Sequence, residues 1–169
     1  MKEFNSFVLN LTVSILDFLY KGKDIQRFWV LETIARAPYF AFLSVLHFKE
    51  SLGLRTESHF YLMKEHFAQT VNETEHLTEM ELRGGANRWV DRFFAYHLVL
   101  IYYWIMVVYY FIAPVPAYHL NEEVEWHAME TYGKYLLDHP DDDIIAQIML
   151  DEINHALELH KAMELIERV

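Results

Sequence analysis

Apolar residues recur every three or four positions through six long segments of the chain. That period is typical of α-helices with one buried face. Residues that favour turns separate the segments, at Gly53, Gly84-Gly85, Pro114 with Pro116, and His139-Pro140. The pattern predicts six helices near residues 5–20, 24–51, 56–83, 87–112, 119–138 and 141–167, and no strands.

The fourth segment differs from the others because residues 93–113 carry no formal charge over 21 positions. Length and hydropathy alone make it a candidate transmembrane helix. The alternatives are a helix buried in the core and a helix lying along the membrane surface. The first segment, FNSFVLNLTVSILDFLY, is also apolar enough to join a membrane-facing surface.

The composition limits which partners and metal ligands are possible. The 169 residues carry a net charge of −11, with only 14 Lys and Arg, so nucleic acid is an unsuitable partner. No cysteine is present, which excludes disulfides and thiolate-bound zinc or iron–sulfur centres. Any metal must therefore bind histidine and carboxylate. The length predicts a single domain, residues 1–169, and the N-terminus shows no signal-peptide pattern.

Two of the ten histidines follow a glutamate by three positions, His76 after Glu73 and His155 after Glu152. Residues three apart share a helix face, so each pair can reach one metal ion. With 17 Glu in the chain, about one such match is expected by chance. Each pair taken alone is therefore equally compatible with a solvated helix face.

The positions of the glutamates relative to the turns add information. Glu32 lies 21 residues before Gly53 and Glu73 lies 20 after it. Glu125 lies 14 residues before His139, and Glu152 lies 13 after it. Each antiparallel hairpin thus places a lone glutamate level with a Glu-x-x-His pair, which is the ligand set of di-iron carboxylate bundles.

Alternatives remain for the two lone glutamates. Glu32 stands in an apolar stretch, where a metal would remove the cost of a buried carboxylate, although it could instead pair with Arg27 or Arg36 or be exposed. On the fifth helix, other glutamates compete with Glu125, namely Glu122, Glu123 and Glu130. A helix that crossed the membrane at residues 93–113 would put the two half-sites on opposite sides, so we expect it to dip into one leaflet.

Five stretches of the chain together resemble the alternative oxidase family: LETIARAPYFAF, VNETEHLTEME, GGANRWVDRFFAYH, VEWHAMETYGKYL and LDEINHALELHKAM. The resemblance is strongest to the plastid terminal oxidase branch, the plastoquinol oxidases of plastids, cyanobacteria and their phages. It runs in order over nearly the whole chain, from about residue 12 to 165.

The resemblance implies an all-α, ferritin-like four-helix bundle with a di-iron site, in which apolar helices one and four form a membrane-facing surface. It implies a monotopic enzyme, on one leaflet of a thylakoid or cytoplasmic membrane, that oxidises plastoquinol or ubiquinol and reduces O2 to water without pumping protons. A homodimer is expected.

The same resemblance assigns the functional residues. The ligands of the two irons would be Glu32, Glu73, His76, Glu125, Glu152 and His155. Asn72 and Asp151 would orient ligands from outside the metal's own shell. Tyr132 would lie beside the metals as the catalytic tyrosine. The quinol pocket would include Arg27, Leu31, His127 and Thr131.

Two departures from the branch are visible. YLLDHPDDDII joins helices five and six almost directly, where the plastid branch has a long aromatic segment, and the last motif reads DEINH instead of an alanine-rich DEAxH. Both leave the ligand positions intact. The competing interpretations are another ferritin-like di-iron oxidase or hydroxylase, and a membrane-surface helical bundle without catalytic activity.

Overall fold

The computed structural model describes residues 2–167, and six α-helices account for most of them. The helices are α1 (Lys2–Leu19), α2 (Asp24–Ser51), α3 (His59–Leu82), α4 (Trp89–Ile112), α5 (Pro114–Asp138) and α6 (Asp143–Glu167). No strand occurs among residues 2–167. The predicted boundaries of α2 are reproduced, and those of α3, α4 and α6 agree within three residues.

The largest difference from the prediction is at the start of α5, which begins at Pro114 and not near residue 119. Pro114 and Pro116 were interpreted as loop residues. Both instead lie in the first turn, where backbone N–H groups have no partner within the helix and proline loses nothing. Only Ala113 therefore separates α4 from α5.

The helices divide into two compact units. One unit contains α1, α5 and α6, and the other contains α2, α3 and α4. The prediction of one domain over residues 1–169 stays a prediction.

In the unit of α2, α3 and α4, helix α2 packs against both of the others. Aromatic rings from α2 fill these contacts. The ring of Phe42 lies 5.0 Å from that of His66 and 4.7 Å from that of Tyr110, measured between centroids. Near the other end of α2, Trp29 meets Tyr96 edge-to-face at 5.9 Å. These ring contacts fix α2 between its neighbours.

The turn between α3 and α4 depends on two glycines. Gly84 has a φ of +86°, and its N–H bonds to the carbonyl of Glu81 while that of Gly85 bonds to the carbonyl of Met80. This pairing ends α3 in a Schellman motif. At Gly85 the backbone approaches α2 so closely that a Cβ atom there would lie 2.5 Å from the Cβ of Trp29.

In the unit of α1, α5 and α6, polar side chains of α1 bond to α5. Asn5 Nδ2 donates to the carbonyl of Pro116 at 2.9 Å, and Ser6 Oγ donates to Glu123 Oε1 at 2.8 Å. The connection between α5 and α6 is short. Asp142 caps α6, because its Oδ1 accepts a hydrogen bond from the N–H of Ile145 at 3.3 Å.

Two helices among the described residues are long and apolar enough to cross a membrane, α2 and α4. In the most apolar part of α2, 61% is buried inside the protein, against 17% for α4. The sequence predicts that α1 and α4 form a membrane-facing surface without crossing the bilayer, a role for α1 that this criterion does not test. The exposed apolar residues of α1 form a one-sided stripe, at Phe4, Phe7, Leu11, Ile15 and Phe18.

Candidate metal centre

The unit of α2, α3 and α4 contains a buried cluster of two carboxylates and one imidazole. Glu73 and His76 lie one turn apart on α3, and Glu32 comes from α2. The three residues are 0%, 4% and 2% exposed. Each offers a ligand atom, and these atoms lie within 4.8 Å of one another. The structure thus brings together the three residues predicted from this part of the chain.

The unit of α1, α5 and α6 contains a cluster of the same composition. Glu152 and His155 lie one turn apart on α6, and Glu125 comes from α5. Their exposed fractions are 1%, 6% and 0%. The ligand atoms of this second cluster also lie within 4.8 Å of one another. Each unit therefore holds one carboxylate-rich trio.

The spacing within each trio suits a shared ion better than an ordinary hydrogen bond. His76 Nδ1 lies 3.6 Å from Glu32 Oε2, and His155 Nδ1 lies 3.6 Å from Glu152 Oε2. Nitrogen-to-oxygen hydrogen bonds are typically about 2.7–3.2 Å long. Two ligands at about 2.1 Å from one divalent ion can be up to about 4.2 Å apart, and 3.6 Å falls inside that limit.

The chemistry of the donors also fits iron. Imidazole and carboxylate suit non-haem iron, and in the sequence no thiolate competes. Each trio carries two carboxylates, so one Fe²⁺ ion per trio would balance their charge. Deep burial makes that balance important, because isolated charges are costly away from water. The residues present thus fit an iron ion in each trio.

The carboxylate-rich run on α3 is both a buried site and a solvated face. Glu73 is fully buried, while Glu75, two residues later, is exposed. Glu79 pairs with Arg83 through a hydrogen bond of 2.8 Å in a partly exposed position. The helical period separates these groups, since residues two apart point about 200° apart around the axis. Only the face that carries Glu73 and His76 belongs to the trio.

The family model for alternative oxidases matches residues 8–153 of the chain. The chain belongs to the alternative oxidase family. Five of the six predicted iron ligands fall inside the matched segment, and His155 lies two residues beyond it. Alternative oxidases are di-iron proteins with an all-α bundle, so the predicted fold class is confirmed.

A curated relative indicates the branch of the family to which the chain is similar. The chain is 48% identical, over 132 positions, to a protein of Arabidopsis thaliana named ubiquinol oxidase 4, chloroplastic/chromoplastic. The match covers 78% of the chain and 37% of the relative, so the chain spans well under half of that protein. This relative confirms the resemblance to the plastid branch. No solved structure matches the chain significantly.

The two residues predicted to orient ligands lie beside the trios in sequence but are only half-buried. Asn72 precedes Glu73 on α3, and Asp151 precedes Glu152 on α6. Asp151 Oδ1 accepts a hydrogen bond from Gln147 Nε2 at 2.9 Å, at the surface. Their orienting role stays a prediction.

A residue that the sequence analysis missed contacts the trio of α5 and α6 directly. Asn121 is completely buried, and its Nδ2 donates to Glu125 Oε1 at 3.4 Å. Asn121 stands four residues before Glu125, on the same helix face. That spacing is visible in the sequence, but the sequence does not show that this part of the helix face is buried.

Tyr132 and the four predicted quinol-pocket residues lie on α2 and α5. Tyr132 is fully buried on α5, and Thr131 beside it is 5% exposed. Thr131 Oγ1 lies 3.3 Å from His127 Nε2, within hydrogen-bond distance. Arg27 and Leu31 stand one turn apart on α2 and are both half-buried. Their catalytic and quinol-binding roles stay predictions.

Two buried histidines lie outside the trios, His59 and His66. His66 on α3 is 1% exposed, and its Nδ1 bonds to Gln69 Oε1 at 2.9 Å. Burial disfavours the charged imidazole and lowers its pKa from 6.5 to about 4, partly opposed by the bond to Gln69. The ring is therefore neutral at physiological pH and packs as part of the aromatic core.

Proposed function

We propose that the two trios form the halves of one dinuclear iron centre, at which the protein oxidises quinol and reduces O2 to water. The observation that carries this proposal is the pair of buried trios with identical composition, one in each unit. A lone glutamate joined to a Glu-x-x-His pair, present twice, is the ligand set of di-iron carboxylate proteins. Membership of the alternative oxidase family supports the same chemistry.

The reaction balances over two quinols. Each quinol releases two electrons and two protons and becomes a quinone. One O2 takes up the four electrons and four protons and becomes two waters, and no proton needs to cross the membrane. The irons, when bound, supply the capacity to bind and reduce O2.

The chain's own groups hold the irons and keep bulk water out. Deep burial of all six ligands, at 6% exposure or less, limits the access of water to the metals. In this proposal Tyr132 lies next to the metals, where its phenol can donate one electron and one proton. The distances within each trio leave room for an ion without a large change in side-chain position.

The quinol would bind close to four residues that offer both hydrogen-bonding groups and apolar contact, namely Arg27, Leu31, His127 and Thr131. Arg27 and His127 can bond to the hydroxyl groups of the headgroup, and Thr131 already contacts His127. Leu31 offers apolar contact to the ring. A neutral headgroup with an apolar tail suits a protein whose net charge is −11. The relative's name specifies ubiquinol, and either ubiquinol or plastoquinol satisfies these contacts.

We further propose that the protein lies on one leaflet of a thylakoid or cytoplasmic membrane and forms a homodimer. Helix α4 is apolar and mostly exposed, and α1 presents an exposed apolar stripe. Such faces are stable in the headgroup and acyl-chain boundary without spanning the bilayer. Tags at both termini should be accessible from the same side of the membrane, and accessibility from opposite sides would contradict this topology.

Oxygen uptake with a short-chain quinol, together with an iron count, tests the proposed function. The expected result is cyanide-insensitive O2 consumption at two quinols per O2, in a protein that holds two irons per chain. Iron without quinol oxidation would favour another di-iron oxidase or a hydroxylase. A protein with far fewer than two irons per chain would favour a membrane-surface bundle without catalysis.

Substitutions in each trio test the ligands. Glu73→Ala and Glu125→Ala should each abolish O2 consumption, because each removes an anionic ligand from a different trio. Glu75→Ala on α3 and Glu130→Ala on α5 serve as controls, since both side chains are exposed. Substantial turnover in either ligand variant would contradict the assignment.

A further inference from the structure

The two trios differ in the residue that precedes the lone glutamate by one helical turn. In α5 the residue four before Glu125 is Asn121, which is 0% exposed. In α2 the residue four before Glu32 is Phe28, which is 1% exposed. A polar amide thus stands behind one lone glutamate and an apolar ring behind the other.

The amide of Asn121 can face Glu125 in only one way. An ionised carboxylate accepts hydrogen bonds and cannot donate them, so the nitrogen of the amide must point towards it. Nδ2 lies 3.4 Å from Glu125 Oε1. Oε1 keeps a second lone pair when it accepts this bond, so the carboxylate can still bind a metal while the bond holds its plane. The amide therefore limits the rotation of the carboxylate.

The other end of the amide shows what this placement costs. Asn121 Oδ1 is buried and forms no hydrogen bond with the described residues. A buried acceptor without a partner destabilises the fold, and an apolar side chain of similar volume would avoid that cost. The contact that Asn121 gains in exchange is the one from Nδ2 to Glu125.

We propose that Asn121 is a positioning residue that orients Glu125 for iron, and that it makes the two metal environments chemically different. This inference rests on the proposed di-iron function. Partners behind metal ligands of this kind commonly change metal affinity by about 10–100-fold. The iron held by Glu125 depends on Asn121, whereas the matched position on α2, four residues before Glu32, is the apolar Phe28.

The test compares Asn121→Leu with Phe28→Leu, a control at the matched position of α2. Both proteins are loaded with ⁵⁷Fe²⁺ without oxygen and studied by Mössbauer spectroscopy, and iron affinities are measured by competition with a chelator. The unsubstituted protein should show two different iron signals of equal area. In Asn121→Leu one signal should change or disappear while its iron binds about 10–100-fold more weakly, and the other should persist. Phe28→Leu should keep both.

Equal signals and affinities in Asn121→Leu and in the unsubstituted protein would overturn the inference, even with the di-iron function intact. Two identical iron environments in the unsubstituted protein would overturn it too. If that protein binds no iron, the proposed function itself fails. Should Asn121→Leu not fold, Asn121→Ala removes the donor without adding bulk or charge, and the same selective loss of one iron signal is expected.

Discussion

Glu73→Gln removes one charge from a trio while keeping the shape of the side chain. Glu73 is fully buried, and its ligand atom lies within 4.8 Å of those of Glu32 and His76. An amide is a poor ligand for Fe²⁺ compared with a carboxylate. We therefore expect the variant to lose the stabilisation that iron gives to the folded protein.

The size of that stabilisation follows from binding linkage. An ion that binds only the folded chain, at a free concentration about 100 times its dissociation constant, contributes about 2.7 kcal/mol, and two such sites contribute roughly 5 kcal/mol. In a chain of this length each kcal/mol raises Tm by about 2–4 °C, so iron should raise Tm by roughly 10–20 °C.

Repulsion between the two carboxylates of the trio also favours iron binding. Two negative charges within 4.8 Å of each other, the limit for the ligand atoms of Glu32 and Glu73, repel by at least roughly 3 kcal/mol at an effective dielectric constant of about 20. A divalent ion between them replaces repulsion with attraction. Glu73→Gln removes one of the two carboxylates that attract the ion. The variant should therefore lose at least half of the iron-dependent rise in Tm.

The assay is thermal unfolding followed by circular dichroism, with and without Fe²⁺ in the absence of oxygen. Glu75→Gln, on the exposed face of the same helix, is the matched control and should keep the full rise in Tm. An equal iron-dependent rise in Glu73→Gln and Glu75→Gln would refute the assignment of Glu73 to the metal.

Three further predictions concern glycine packing, a buried histidine and Tyr132, the predicted catalytic tyrosine. Gly85→Ala should destabilise the fold by about 1–3 kcal/mol in urea unfolding, because its Cβ would lie 2.5 Å from a tryptophan side chain. Gly133→Ala should stabilise by about 0.5–1 kcal/mol, since its Cβ would lie 3.6 Å from its nearest neighbour, and the opposite order would contradict the packing. The pKa of His66 is about 4 in the folded chain and 6.5 in the unfolded one, so below pH 6.5 the unfolded state binds the proton. Stability should therefore fall by roughly 3 kcal/mol between about pH 6.5 and 4 because of this group. His66→Met should lose that slope, and His47→Gln, at an exposed position of α2, should keep it. Tyr132→Phe should keep two irons but lower kcat at least about 100-fold, and unchanged kcat would remove the tyrosine from the reaction.

The sequence predicted the helices well where the apolar period and the turn residues indicated the same boundaries. Helix α2 runs from Asp24 to Ser51 as expected, because glycine-containing turns border it on both sides. The predicted start of α5 was wrong, because proline is common both in loops and in the first turn of a helix. Short-range rules do not distinguish these two placements at Pro114 and Pro116.

The trios were predictable because distances along two helices from a shared turn fix relative height. Glu32 was expected level with Glu73, and Glu125 with Glu152, and their ligand atoms lie within 4.8 Å in each unit. The contact of Asn121 was not predicted. A helix period shows that it shares a face with Glu125, but only coordinates show that this face is fully buried.

The most direct test of the central claim is X-ray absorption spectroscopy at the iron edge on protein loaded with iron. If the two trios form one centre, the protein should contain two irons per chain, and the spectrum should show iron–iron scattering at about 3.5–4 Å. Two irons without iron–iron scattering, or one iron or none per chain, would contradict the account.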